Sequence, residues 1–117
     1  MFTVYGIPNC NTVKKARTWL DDHGIEYAFH DYKKKGIEAE RIQEWYKKFP
    51  WEKLVNKAGT TWKALTDEEK ALVQNEKTAI DLMISKTSVI KRPVIEDSHG
   101  KAIALGFSEE NYEQIFS

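Results

Sequence analysis

A chain of 117 residues can bury one hydrophobic core and is too short for two. Eighteen Lys and Arg residues balance eighteen Asp and Glu residues, so no net field draws the chain to nucleic acid or to an anionic membrane surface. No apolar run approaches the ~18 residues of a membrane span, and one cysteine cannot form an internal disulfide.

The opening MFTVYGI lacks a basic leader before a long apolar run, so no secretory signal is visible and a soluble cytoplasmic protein is expected. Phe2 to Ile7 reads as a short buried strand, which Pro8 and Asn9 break. From Asn11 to His23, Val13, Ala16 and Leu20, with Trp19 beside it, recur at helical spacing. Gly24 is a natural stop, because it accepts the left-handed conformation without a Cβ penalty. Ile25 to Tyr32 alternates as a second strand, and Lys33 to Lys35 reads as a solvated loop, with a phosphate-binding patch as the alternative. Strand, helix and strand in that order make a right-handed βαβ unit with parallel strands.

Residues 37–86 read as helical throughout. Ile42, Trp45, Tyr46 and Phe49 share a face of a helix ended by Pro50; Trp51, Leu54 and Val55 make a shorter one. Thr66 to Glu69 is a capping box, expected to start a helix carrying Leu72 and Val73, and Ala79, Ile80, Leu82 and Met83 supply another. The tryptophans at 19, 45, 51 and 62 suit core packing, with a ligand platform as the alternative. Val89 to Glu96 is extended again, residues 97–100 form a polar turn, and Ala102 to Leu105 completes a hairpin. Ser108 caps a last helix bearing Tyr112, Ile115 and Phe116. With the helical block as an insertion, the remainder is an α/β domain of thioredoxin layout: a four-stranded mixed sheet, β-α-β then β-β-α, spanning 1–117.

Cys10 lies where that first helix begins. Backbone N–H groups without intrahelical partners, and the positive end of the helix dipole, stabilise a thiolate there. The Thr12 hydroxyl could donate to the sulfur, and Lys14 or Lys15 could add charge. Such a thiolate can attack a disulfide, a peroxide or an oxyanion; the alternative is a small buried hydrophobe. Pro93 is unusual inside a strand sequence, since it cannot donate to the ladder. A cis Arg92–Pro93 bond would account for it, as would a trans proline at a strand start. Arg92 offers a planar cation to an anion or the thiolate, or is simply exposed.

"YGIPNCNTVKKA", "IKRPVI" and "LGFSEENY", together with "IEYAFHDYKK" and "GTTWKAL", resemble the arsenate-reductase/Spx family, in its YffB-like bacterial branch, nearly end to end. The resemblance implies a thioredoxin fold with the insertion, catalytic Cys10, Arg92 as an anion-binding residue before cis Pro93, and glutathione or glutaredoxin as electron source. Asn9, Arg92 and Pro93 are then the expected substrate- or glutathione-binding residues, with Thr12 and Lys14 stabilising the thiolate. Glutathione-coupled arsenate reductases use three arginines around the oxyanion, of which only Arg92 matches. Asn56, beside Lys57, falls near the second place and Gly106, before Phe107, near the third. Two missing guanidinium groups weigh against efficient arsenate reduction. The C-x-x-C switch of Spx regulators cannot form, because Val13 stands three after Cys10.

The expected function is a glutathione-dependent thiol reductase acting on an oxidised thiol through one nucleophilic cysteine. A glutaredoxin-coupled arsenate reductase acting on an oxyanion and a non-catalytic Spx-like protein that binds RNA polymerase are the alternatives. A monomer is expected, with glutathione as co-substrate, no tightly bound cofactor, no metal site, and neither membrane nor direct nucleic acid binding.

Overall fold

Phe2–Gly6 forms β1, Asn11–Asp22 forms α1, Tyr27–Asp31 forms β2 and Tyr32–Lys35 the single turn α2. After a helical stretch the chain resumes with β3 (Val94–Glu96), β4 (Ala102–Leu105) and a C-terminal helix, Glu109–Phe116. The computed structural model describes residues 1–116. They fall into two units, Met1–Lys35 with the chain from Arg92 onward, and Gly36–Lys91.

In the first unit the strands lie in the order β2-β1-β3-β4. β1 runs parallel to β2 and antiparallel to β3, and β3 pairs antiparallel with β4. This mixed sheet with flanking helices is the expected thioredoxin-like architecture. Side chains alternate across a strand, so the sheet has two chemically distinct faces. Val4, Ile95 and Ala104 form a core cluster with Ala16, Trp19 and Leu20 of α1 and Tyr112 of the C-terminal helix. Tyr112 meets Trp19 edge-on at 5.4 Å. Their strand neighbours point the other way: Tyr5 pairs with Val94 on one side and with His30 on the other, and Thr3 pairs with Glu96. That second face carries the polar cluster described below.

α1 buries Val13, Ala16, Trp19 and Leu20, the residues its periodicity predicts. It ends where Gly24 takes φ +67°. The hairpin turn is held by the Asp97 carboxylate, which accepts from the His99 and Lys101 N–H groups at 2.8 and 3.0 Å, with Gly100 at φ +77°. Ser108 Oγ accepts from the Asn111 N–H at 3.3 Å, capping the last helix as expected.

Several boundaries differ from the predicted ones. β2 starts at Tyr27, two residues later than expected, and Tyr32 leaves it for α2. Asp31 Oδ1 accepts from the Lys33 N–H at 2.9 Å, so the lysine run is a capped helical turn with exposed lysines, not a loop. β3 starts only after Pro93, which has no N–H for the ladder. Val89 belongs to a 3₁₀ turn, Thr87–Val89.

The second unit is broken rather than helical throughout: α3 (Ala39–Trp45), α4 (Trp51–Leu54), α5 (Thr60–Lys63), α6 (Asp67–Ala71) and α7 (Glu76–Ser85). The C-terminal helix is therefore α8. Pro50, Gly59, Thr66 and Asn75 occupy the N-cap positions that divide the helices. The Thr66–Glu69 capping box forms, but α6 stops before Leu72, which is 67% exposed. Val55 leaves α4 to bridge Ile90, and the Asn56 N–H donates to the Val89 carbonyl at 2.8 Å. Trp19 and Trp45 are buried, whereas Trp51 and Trp62 are half-buried and flank the Lys57 ammonium, 5.5 and 5.3 Å from their ring centres. Among the described residues no helix is long and apolar enough to cross a membrane.

Candidate active site

Cys10 is the N-cap residue of α1, with extended backbone at φ −131° and ψ 126°. Its carbonyl accepts the Lys14 N–H at 2.9 Å, the first bond of the helix. The N–H groups of the intervening first turn have no helical carbonyl to meet. Two of them, from Val13 and Thr12, hydrogen-bond the Cys10 sulfur, and so does the Arg92 side chain. Burial is the largest single influence and pushes the thiol up. The Val13 N–H, the Arg92 guanidinium (by hydrogen bond and by charge) and the Thr12 N–H together outweigh it, so the thiol lies below its ordinary value. The sulfur remains half-buried, open enough to be attacked or to attack.

The sequence brings these groups together through a missing side chain. A Cβ on Gly6 would stand 2.9 Å from Val13 Cγ2 and 3.8 Å from Arg92 Cβ. The bare end of β1 thus lets the first turn of α1 and the Arg92 segment close in together. The Arg92–Pro93 peptide bond is cis. The Pro93 carbonyl accepts the Gly106 N–H at 2.8 Å, and the Gly106 carbonyl accepts the buried Tyr112 hydroxyl at 2.6 Å.

Cys10 and Arg92 are therefore in contact, with Pro93 directly following. Thr12 reaches the sulfur through its backbone N–H, where its hydroxyl had been the expected donor. Lys14 is exposed and lines a groove along α1 with Lys15, Thr18, Trp19 and Phe107; Val13, Thr12 and Arg92 are the groups that lower the thiol. Asn9 is exposed in the turn preceding Cys10. Lys57, beside Asn56, sits between its two tryptophans in the second unit. Gly106 holds φ +76°, a backbone that disfavours any side chain. Among the described residues no cluster of His, Cys, Asp and Glu could hold a metal ion.

Three residues of the second sheet face escaped the sequence reading. The Tyr5 hydroxyl donates to Glu96 Oε1 at 2.9 Å, Tyr5 stacks on Tyr32 with ring centres 6.4 Å apart, and all three side chains are buried. The one available signal was a glutamate inside the apolar run Val94-Ile95-Glu96.

Strand, helix-capping thiol and arginine before a cis proline define a thioredoxin-fold protein built around a single reactive cysteine. The sequence pattern of the ArsC family matches residues 5–115, and the chain belongs to that family. An uncharacterised protein of Haemophilus influenzae is 42% identical over the full length of both chains. A solved structure of a YffB protein superposes with a TM-score of 0.91, at 41% identity and complete coverage of both. An arsenate reductase (ArsC) related protein from Brucella melitensis superposes at 0.75, with 47% identity over 99% of this chain and 94% of its own. At greater distance, the global transcriptional regulator Spx of Lactiplantibacillus plantarum is 23% identical over 98% of this chain and 86% of that protein.

Proposed function

We propose that this protein is a glutathione-dependent thiol reductase in which Cys10 is the sole nucleophile. The observation that carries this reading is the pair of N–H donors and the Arg92 guanidinium on the Cys10 sulfur, which hold a thiolate at neutral pH. The Cys10 thiolate attacks the glutathionyl sulfur of a mixed disulfide. The S–S bond breaks, the substrate thiolate leaves and takes a proton, and a Cys10–glutathione disulfide remains. With no second cysteine in the chain, a glutathione thiolate attacks the glutathione sulfur of that adduct. Oxidised glutathione departs and the Cys10 thiolate returns. Arg92, with its five donors and fixed charge, holds a carboxylate of glutathione beside the sulfur.

An arsenate dianion asks for more fixed charge than one guanidinium supplies. Lys57 is engaged by two tryptophan rings and Gly106 carries no side chain, so neither family position adds an arginine. The test is mass spectrometry after exposure to oxidised glutathione, followed by turnover with glutathionylated peptide and with arsenate. One glutathione on Cys10, removed by reduced glutathione, and faster turnover of the peptide are expected. Arsenate turnover that outruns the peptide would replace this reading with an arsenate reductase.

A further inference from the structure

Glu96 is a carboxylate only 3% exposed, inside an apolar strand. A buried carboxylate is costly unless it is both hydrogen-bonded and charge-compensated. The Tyr5 hydroxyl supplies a hydrogen bond at 2.9 Å, but a phenol is a neutral donor and leaves the charge to be met by a cation. Arg92 is that cation. Its Nε is buried, and its Cβ stands 3.8 Å from the Cβ position of Gly6, the residue next to Tyr5. Between Arg92 and Glu96 lies the Tyr32 hydroxyl. It is 1% exposed, without a hydrogen-bond partner, and subject to the charges of both residues, with burial as the main influence pushing it well up. The remaining titratable neighbour is His30 of β2, whose ring packs 4.8 Å from Tyr5 and 6.2 Å from Tyr32.

We propose that Glu96, held by the Tyr5 hydroxyl, is a positioning residue for Arg92: its buried carboxylate anchors the inner side of the arginine and leaves the outer donors to Cys10 and to an anionic group of the substrate. The substrate part of this statement rests on the reading of Arg92 as the anion-holding residue. The anchoring part concerns only the resting protein. Glu96 touches no reacting atom and acts through Arg92. Its effect has a sign that a mere counter-charge would not have. If Glu96 only neutralised Arg92, its removal would strengthen the positive field on Cys10 and make the thiolate more reactive toward anions. If Glu96 orients Arg92, its removal lets the guanidinium swing away and weakens that field.

The experiment compares alkylation of Cys10 by neutral iodoacetamide and anionic iodoacetate, as a function of pH, in the full chain and in Glu96→Gln, Tyr5→Phe and Tyr32→Phe. No reductase substrate is involved, so failure of the functional reading leaves this test standing. Glu96→Gln is expected to lower the iodoacetate-to-iodoacetamide rate ratio by about threefold or more, the scale of one lost, partly screened charge contact. It should also move the alkylation profile up in pH. Tyr5→Phe, which frees the carboxylate from its donor, should move both in the same direction by less. Tyr32→Phe should leave the ratio unchanged, because its hydroxyl holds nothing. An unchanged or raised ratio in folded Glu96→Gln overturns the proposal, as does a Tyr32→Phe effect equal to that of Glu96→Gln. Should Glu96→Gln fail to fold, Tyr5→Phe decides: a lowered ratio supports anchoring, and an unchanged or raised ratio overturns it.

Discussion

Replacing Gly6 by alanine tests how tightly β1 and the first turn of α1 are joined. The added Cβ would lie 2.9 Å from Val13 Cγ2 and 3.5 Å from Val13 Cγ1, well inside ordinary contact for the first. Val13 cannot turn away at little cost: a β-branched side chain in a helix has one strongly preferred rotamer, and Val13 is fully buried. Forcing a methyl into such a packed site costs about 1–3 kcal/mol. The backbone at Gly6 does not have positive φ, so alanine is unstrained there and recovers roughly 0.4–1 kcal/mol by restricting the unfolded chain. The net expectation is a loss of about 1–2 kcal/mol, or roughly 5–10 °C in Tm for a chain of this size. Urea denaturation of wild type, Gly6→Ala, Val13→Ala and the double variant forms the cycle. Removing both Cγ atoms clears the contact, so Gly6→Ala in the Val13→Ala background should be neutral or stabilising. The Val13 N–H also serves the Cys10 sulfur, so Gly6→Ala should slow thiol alkylation as well. Equal cost of Gly6→Ala in both backgrounds, or no cost in wild type, would refute the steric reasoning.

Cys10→Ser should abolish glutathione adduct formation and reductase turnover while leaving the circular dichroism spectrum unchanged, since oxygen for sulfur at a half-buried N-cap disturbs little packing. Alkylation of Cys10 should persist below the pH range of an ordinary thiol, because its folded value is lowered; Arg92→Ala should shift the profile upward by removing both a donor and a charge. Asn75→Ala should cost about 1 kcal/mol in urea denaturation, because Asn75 Oδ1 accepts the Thr78 N–H at 3.0 Å and caps the helix carrying Ala79, Ile80 and Met83. Gly106→Arg, the substitution that would restore one arginine of the arsenate reductases, should destabilise by roughly 1–2 kcal/mol at φ +76° and leave arsenate turnover no faster.

The features that local chemistry dictates were legible along the chain. α1 follows from Val13, Ala16 and Leu20 at helical spacing with Gly24 beyond, and the Thr66–Glu69 capping box from four adjacent residues. Cys10 at the strand-to-helix junction, Arg92 before a proline, and the hairpin around Asp97–Gly100 are also set by neighbours a few residues apart, so periodicity and turn chemistry suffice to place them. The breaks within the second unit were harder. Helices of four to seven residues carry too few repeats for a period to declare itself, and Val55 and Ile90 pair as a bridge across 35 positions of sequence. The composition of the site depended on longer reach still. That backbone N–H groups rather than the Thr12 hydroxyl serve the sulfur is a matter of how the first turn points, which residue identity does not encode. Tyr5 and Glu96, 91 residues apart, meet because antiparallel pairing of β1 with β3 sets them on one face of the sheet. A register of that kind is chosen by the whole core at once. Val4, Ile95 and Ala104 must all turn toward α1 and α8 together, and a slip by one residue would reverse every side chain.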